Sequence, residues 1–268
     1  MSTAIDRFRQ LHESGCFVLP NPWDAGSARF LVHLGFSALA TTSAGFAWTL
    51  GRRDNHVTLE EVLAHLRVMA NAVDVPINAD FEGGFTIEPD AVAANVAAAA
   101  TTGIAGLSIE DSTGDNDNPL FDFDLAVRRI KAARAALDQS GTGVLLVGRS
   151  EGFITGRPDL GETIRRLTAY SAAGADCLYA PGLKSMADIK TVVDAVAPKP
   201  VNVNVGSDFT TFAELAAIGV RRISTGGALA RAAWSGFITA ANEIANHGTF
   251  AALGRAVPGA EVNGYFEG

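Results

Sequence analysis

A short unit recurs along this chain: an amphipathic stretch of helical length stops at a glycine, and a β-branched or apolar run begins within two residues. The junctions are Gly35-Phe36, Gly103-Ile104, Gly174-Ala175 and Gly219-Val220. Glycine ends a helix in a left-handed turn at little steric cost, so each junction marks a helix returning to a strand. Strands are predicted at Phe17 to Pro20, Ser37 to Thr42, Pro76 to Asp80, Gly106 to Glu110, Val144 to Ser150, Asp176 to Ala180, Pro200 to Val205 and Arg221 to Thr225. Helices are predicted near 24–34, 58–73, 88–102, 122–138, 160–173, 185–196, 210–218 and 227–246. Helix starts carry caps: Thr58 with Glu61 forms a capping box, and Asp122 and Ser185 are single caps. Such alternation is the pattern of parallel βα units, and eight of them predict a (β/α)8 TIM barrel. No Gly-x-Gly-x-x-Gly follows the first strand, which argues against a dinucleotide-binding open sheet.

Composition bounds the rest. At 268 residues with 48% hydrophobic and 19% charged content, the chain suits one large domain. Residues 1–246 are expected to form the catalytic barrel, and 247–268 a C-terminal tail beyond the hinge His247-Gly248. A formal charge of -8 without a basic stripe excludes a nucleic-acid or membrane-surface role, while small anions remain admissible if a local cation offsets the field. Cys16 and Cys177 show neither zinc-site nor disulfide spacing. The start of the chain lacks the pattern of a signal peptide, and no apolar run approaches about 18 residues. A cytoplasmic protein is expected.

In a barrel of this kind functional residues cluster where strands end, because the βα loops converge on one mouth. The third strand runs out through Asn78-Ala79-Asp80-Phe81-Glu82-Gly83-Gly84. If the chain stays extended, Asp80 and Glu82 share a face and can converge on one hard cation. The fourth strand ends in Glu110-Asp111, the fifth in Arg149-Ser150-Glu151, and the seventh carries Asn202 and Asn204. Alternation points Asn78 and Asp80, Ser108 and Glu110, and Asn202 and Asn204 into the barrel. Asp80 and Glu110, with Glu82 nearby, form an oxygen-rich set suited to Mg²⁺ or Mn²⁺.

After the second strand, Thr41-Thr42-Ser43-Ala44-Gly45 can let backbone N–H groups approach a carboxylate, or can be an ordinary turn. Phe46 and Trp48 either wall a pocket or seal the core. Tyr179 is a candidate hydroxyl at the mouth. The five histidines read as surface or capping residues. Two rival chemistries need other groups: a Schiff-base aldolase would use Lys184, and a phosphate-binding barrel would use Ser224-Thr225-Gly226-Gly227.

The chain also resembles the isocitrate lyase and phosphoenolpyruvate mutase superfamily. The resemblance rests on Pro22-Trp23-Asp24-Ala25-Gly26-Ser27-Ala28-Arg29, the hydroxyl and glycine loop, Leu50-Gly51-x-x-Asp54, Asp80-Phe81-Glu82 with its glycine pair, Ile109-Glu110-Asp111, Gly148-Arg149-Ser150-Glu151 and Asn204, in shared order over more than 200 residues. It implies a Mg²⁺-dependent enzyme handling a 2-oxo acid or its enolate. By position Asp80 would be the direct metal ligand, with Asp54, Glu82 and Glu110 holding metal-bound waters. Arg149 would bind the substrate carboxylate or carbonyl oxygen, and Thr42, Ser43 and Ala44 would supply donors to the carboxylate. Catalytic roles thus fall on Arg149, Glu110 and Asp54, and substrate contacts on Thr42, Ser43, Ala44, Arg149, Asn204 and Trp48. The resemblance further implies a homo-oligomer, dimer or tetramer, in which the last barrel helix is exchanged between subunits.

Departures from that pattern narrow the activity. Family lyases carry Lys-Lys-Cys-Gly-His in the loop after the fourth strand, with the cysteine as acid; here the loop reads Asp111-Ser112-Thr113-Gly114-Asp115-Asn116-Asp117-Asn118-Pro119-Leu120. The lysine that the phosphonate mutases need is missing as well, and Glu82 stands where the family usually has aspartate. The expected function is Mg²⁺-dependent C–C cleavage of a small 2-oxo or 2-hydroxy dicarboxylate through a metal-stabilised enolate, most simply an oxaloacetate decarboxylase. Decarboxylation needs only an electron sink at the carbonyl. The alternatives are a phosphonate or carboxyphosphonate mutase-type enzyme, an oxaloacetate hydrolase-type enzyme, and a non-catalytic 2-oxo acid binder. The glycines and asparagines of the same loop predict a mobile lid.

Overall fold

Eight short parallel strands hydrogen-bond side by side in the computed structural model, which describes residues 3–266. Residues 1, 2, 267 and 268, the outer ends of the expected barrel and tail ranges, lie outside the described residues. The strands are β1 (Phe17–Leu19), β2 (Leu39–Ala40), β3 (Ile77–Asp80), β4 (Gly106–Glu110), β5 (Leu145–Arg149), β6 (Cys177–Tyr179), β7 (Val201–Asn204) and β8 (Arg222–Ser224). The helices are α1 (Ala4–Glu13), α2 (Ala25–His33), α3 (Ser43–Thr49), α4 (Leu59–Ala72), α5 (Pro89–Ala100), α6 (Phe123–Ser140), α7 (Leu160–Ala172), α8 (Met186–Val196), α9 (Phe212–Ala217), α10 (Ala228–His247) and α11 (Gly259–Gly264). The sheet order is β1-β8-β7-β6-β5-β4-β3-β2. The ring meets at the β1/β2 seam, where Ala40 N donates to Pro20 O at 3.1 Å. All eight predicted strands and their helices are present, and the chain is a (β/α)8 barrel.

The glycine junctions fold as expected. Gly35, Gly103, Gly174 and Gly219 have φ of 90°, 93°, 105° and 90°. At three of them the next residue's N–H reaches back five residues, Phe36 to Leu31 O, Ala175 to Tyr170 O and Val220 to Leu215 O, which closes the helix end and aims the chain into the strand. Thr58 and Glu61 form the predicted capping box, and Asp122 and Ser185 cap α6 and α8.

Apolar faces of the helices pack outside the ring, with Leu66, Met69, Val92, Val96, Ile130 and Leu167 among the fully covered residues. Besides α11 in the tail, two helices were not anticipated. α1 closes the underside: Phe8 packs there with Leu19, Ala38 and Leu145, and a Cβ on Gly106 would stand 2.7 Å from its ring. His12, read as a surface residue, is buried on the same plug, with Nδ1 2.7 Å from Phe8 O, and burial lowers its pKa to about 3. His65 is likewise drawn inward, stacked 3.9 Å from Phe46, which places Phe46 in the packing behind α3. α3 is the other addition, and Thr42 caps it by accepting from Gly45 N.

α10 differs from the other barrel helices. Of its 20 residues only Ala230 is buried, and Trp234, Phe237 and Ile238 are 41%, 62% and 49% exposed. Beyond the left-handed cap at Gly248 the tail turns back, and Tyr265 packs 4.7 Å from the Phe30 ring of α2. No helix among the described residues is long and apolar enough to cross a membrane.

The glycine junctions make a local test. A Cβ at Gly174 would lie 2.5 Å from Cγ of Arg134, which is itself held by Asp138 and Asp176, whereas one at Gly141 (φ 63°) meets open space. Gly174→Ala should destabilise by about 2–3 kcal/mol and Gly141→Ala by about 1 kcal/mol, read from urea unfolding.

Candidate active site

Three strand ends meet on one side chain. Arg149, the last residue of β5, stands beside Glu110 of β4 on one side and Tyr179 of β6 on the other. Its Nη1 contacts Asp80 Oδ1 at 2.5 Å, Nη2 contacts Glu110 Oε2 at 3.0 Å, and Nε contacts Glu151 Oε1 at 3.0 Å. The Tyr179 ring lies 5.1 Å from the guanidinium carbon. Asp80 is fixed from its other side as well, because Ser43 N and Ser43 Oγ donate to Oδ2 at 3.0 and 2.9 Å. The Ser43 donors expected to be free for a substrate carboxylate are thus engaged with Asp80.

Glu82 reaches the cluster by a different route from the one the strand pattern implies. β3 ends at Asp80, Phe81 turns into the core fully buried, and Glu82 takes φ 47°, so extended alternation stops before it. Asp80 lines a central cavity of about 190 Å³, whereas Glu82 and Glu110 line an adjoining one of about 330 Å³ beside His56. Glu82 Oε1 is buried with no hydrogen-bond partner among the described residues. Arg129 holds this segment in place: its guanidinium donates to the carbonyls of Gly83, Thr86 and Ile87 and lies 4.1 Å over the Phe121 ring.

Five carboxylates therefore interact with one guanidinium. Burial acts to lower Arg149, but Glu151, Glu110 and Asp80 together hold it protonated beyond the ordinary arginine range. Burial raises Glu110 well above the usual carboxylate range, against the pull of Arg149. Glu151 is raised for the same reason. Burial, then Asp80 and Asp54, push Glu82 up to about 8. Asp54, on the exposed rim but facing the cluster, is raised by desolvation and by Asp80. Negative charge in excess of one cation, an all-oxygen donor set and an orphaned Glu82 oxygen fit a hard divalent cation such as Mg²⁺. Among the described residues no three acidic, histidine or cysteine side chains form a ready coordination shell.

The central cavity is walled by Thr42, Ser43, Ala44, Asp54, Asp80, Arg149, Tyr179 and Asn204. Asn204 Oδ1 is buried without a partner among the described residues. Trp48 sits outside this cavity, its ring over Gly227 and facing a groove shared with Trp234. Lys184 is exposed and does not line the cavity, which removes the Schiff-base arrangement. The Thr225 and Gly226 N–H groups donate to Asn21 Oδ1 at 2.8 and 2.9 Å, so the donors a phosphate would need are taken. The loop after β4 is tied rather than open: Ser112 and Leu120 form an antiparallel bridge, and Thr113 N donates to Pro119 O at 3.0 Å. Asp115 and Asp117 at its tip face solvent.

Sequence reasoning missed the support behind Glu151. Asp111 is buried and accepts from Glu151 N (2.8 Å), Arg166 Nη1 (3.0 Å) and Tyr170 OH (2.6 Å). Arg166 and Tyr170 lie one turn apart on the buried face of α7, beside Thr163 and Leu167, and that polar spacing was the available signal.

Residues 8–245 match the family model for phosphoenolpyruvate phosphomutase. An oxaloacetate decarboxylase of Paraburkholderia xenovorans is 32% identical over 206 residues, covering 73% of this chain and 67% of that one. A solved structure from Burkholderia cenocepacia, assigned provisionally as a lyase/mutase, superposes with a TM-score of 0.95 at 45% identity over 99% of this chain and 96% of its own. Oxaloacetate acetylhydrolase, solved with its product oxalate, superposes with a TM-score of 0.86 at 26% identity, covering 98% and 93%.

The raised carboxylates set a pH dependence. An acid whose folded pKa lies above its unfolded value stabilises the fold below the unfolded pKa, and that stability is lost as pH rises through the folded pKa. For Glu82 the window runs from its ordinary 4.5 to about 8. With chelator present, the melting temperature should fall by about 5 °C across this window. Glu82→Gln should flatten the slope, and Mg²⁺ should raise the melting temperature most at the alkaline end. Differential scanning fluorimetry reads all three.

Proposed function

Because this chain belongs to the phosphoenolpyruvate phosphomutase family, within the isocitrate lyase superfamily, we propose that it cleaves a carbon–carbon bond of a small 2-oxo dicarboxylate, as an oxaloacetate decarboxylase. The observation that carries this reading is the Arg149 cluster opening on a small polar cavity, beside a loop that holds no lysine, cysteine or histidine. Cleaving the bond to the distal carboxylate releases CO₂ and moves an electron pair toward the C2 carbonyl oxygen; C3 then takes up a proton. Breaking that bond needs no acid from the loop, which separates decarboxylation from the lyase reactions.

Each side chain has a part. Thr42, Ala44 and Asn204 hold the carboxylate next to the carbonyl, Asn204 through its Nδ2 donor, while Ser43 keeps Asp80 in place beside them. Arg149 faces the carbonyl oxygen and stabilises the charge that develops there, where an oriented guanidinium in a water-poor site acts most strongly. Asp80, Asp54, Glu82 and Glu110 would hold Mg²⁺, or Mn²⁺ in its place, which supplies a Lewis acid at the same oxygen. Glu151, anchored through Asp111, keeps Arg149 in plane with the strand ends. Trp48 lies one layer outside and contributes by closing the mouth against α10. Two free cysteines fit a reducing cytoplasm.

The apolar face of α10 supports a homo-oligomer. Trp234, Phe237 and Ile238 form one exposed patch over about one turn, a surface that single subunits seldom leave in water.

Two measurements test these readings. With oxaloacetate, other 2-oxo diacids and 2-hydroxy diacids as a panel, pyruvate release from oxaloacetate should need Mg²⁺ or Mn²⁺. Arg149→Met should cut kcat by about 10²- to 10³-fold, and Asp80→Ala should abolish metal-dependent turnover. Tight metal-dependent binding with background turnover would instead favour a binding protein. In light scattering the chain should run as a dimer or tetramer, and Phe237→Asp should shift it toward monomer.

A further inference from the structure

Barrel interiors of this class are filled mainly by bulky branched side chains. Below the Arg149 cluster this one instead holds Asn78, Ser108, Asn202, Ser224 and Arg222, all buried. Arg222 is 3% exposed and comes from the first residue of β8. Its contacts are neutral. Nε donates to Asn202 Oδ1 at 2.9 Å, and Nη1 faces Asn78 Oδ1 at 3.3 Å and His12 Nε2 at 3.5 Å. His12 donates through Nδ1 to Phe8 O, which leaves Nε2 as a lone-pair acceptor toward the guanidinium. Burial keeps that ring uncharged. No acidic side chain among the described residues pairs with Arg222.

A buried cation held only by amides and a neutral imidazole is costly, and a fold retains such a group where a ligand's charge completes it. Arg222 lines the same 190 Å³ cavity as Asp80 and Arg149. The two arginines are not equivalent. Arg149 is already paired with Asp80, Glu110 and Glu151, while Arg222 offers the only positive charge without a carboxylate partner among the described residues lining that cavity.

We propose that Arg222, with Asn202 and Ser224 beside it, is the subsite that takes the distal carboxylate of the substrate and so selects dicarboxylates over monocarboxylates. This rests on the 2-oxo diacid reading above and adds to it the residue that reads the second charge. Asn202 serves as the hinge of the subsite: its Oδ1 accepts from Arg222 Nε and its Nδ2 donates to Ser224 Oγ at 3.0 Å.

The test compares (S)-malate with (S)-lactate, which share a 2-hydroxy acid head and differ only at the distal end, alongside oxalate, which has no distal group. Calorimetric titration of the full chain with Mg²⁺ should show malate bound roughly 30-fold or more tighter than lactate. Arg222→Met should bring the two within about threefold of each other and leave oxalate within about threefold of wild type; Arg222→Lys should fall between. An unchanged malate-to-lactate ratio in Arg222→Met, or equal weakening of all three ligands, overturns the assignment. Wild type that binds oxalate without preferring malate also overturns it, leaving the 2-oxo acid reading intact. Wild type that binds none of the three removes that reading and the subsite together. A crystal structure of wild type with malate decides the matter even if the variants do not fold: the distal carboxylate within hydrogen-bond distance of Arg222 supports the subsite, and any other placement sinks it.

Discussion

The guanidinium of Arg149 is the point on which the mouth of this barrel is built. Asp80, Glu110 and Glu151 come from three different βα junctions, and without a cation between them they would repel at a separation set by the strands. One planar group with donors on three sides satisfies all three at once, which a lysine could not do. The consequences spread outward. Ser43 holds Asp80 by the oxygen that Arg149 leaves free, and Asp111 accepts from Glu151 N two residues past Arg149. The buried Arg166 and Tyr170 then belong to the site as much as to the shell of helices.

A barrel that spends its interior on polar side chains gives up packing there and must recover it elsewhere. Phe8 on α1 supplies the plug that branched side chains would otherwise provide, and Gly106 makes room for its ring. The polar layer between plug and mouth becomes usable space. Depth and charge in the cavity are thus linked to a helix that precedes the first strand and belongs to no βα unit.

Much of this architecture was legible in the chain. The glycine stops at residues 35, 103, 174 and 219 fixed where helices end, since nothing else tolerates φ near 90° as readily, and the strand ends followed. Where local rules competed, reading failed. Thr41 to Gly45 reads as a turn by composition, yet Thr42 uses its hydroxyl to cap α3. Glu82 was assigned to the face of Asp80 by alternation, but Phe81 claims the core and the chain turns left-handed to let it. Glycine, asparagine and aspartate after β4 looked like a free lid, while the structure ties them into a hairpin through bonds that sequence does not announce. Arg221-Arg222 resembles a solvated strand start; only closure of the ring shows that alternation sends the second arginine inward.

Asn21 illustrates how such a ring resists change of trade. Its amide nitrogen donates to Thr41 O across the β1/β2 seam, and its amide oxygen accepts from the loop after β8, the place where barrels of this class often hold phosphate. One side chain is thereby both the clasp of the barrel and the stopper of an alternative site. Any replacement of Asn21 that freed those loop donors for a phosphate would also remove a side-chain bond from the seam, leaving the backbone bond from Ala40 N to Pro20 O to hold it, so a change of ligand at that corner comes at the expense of the ring.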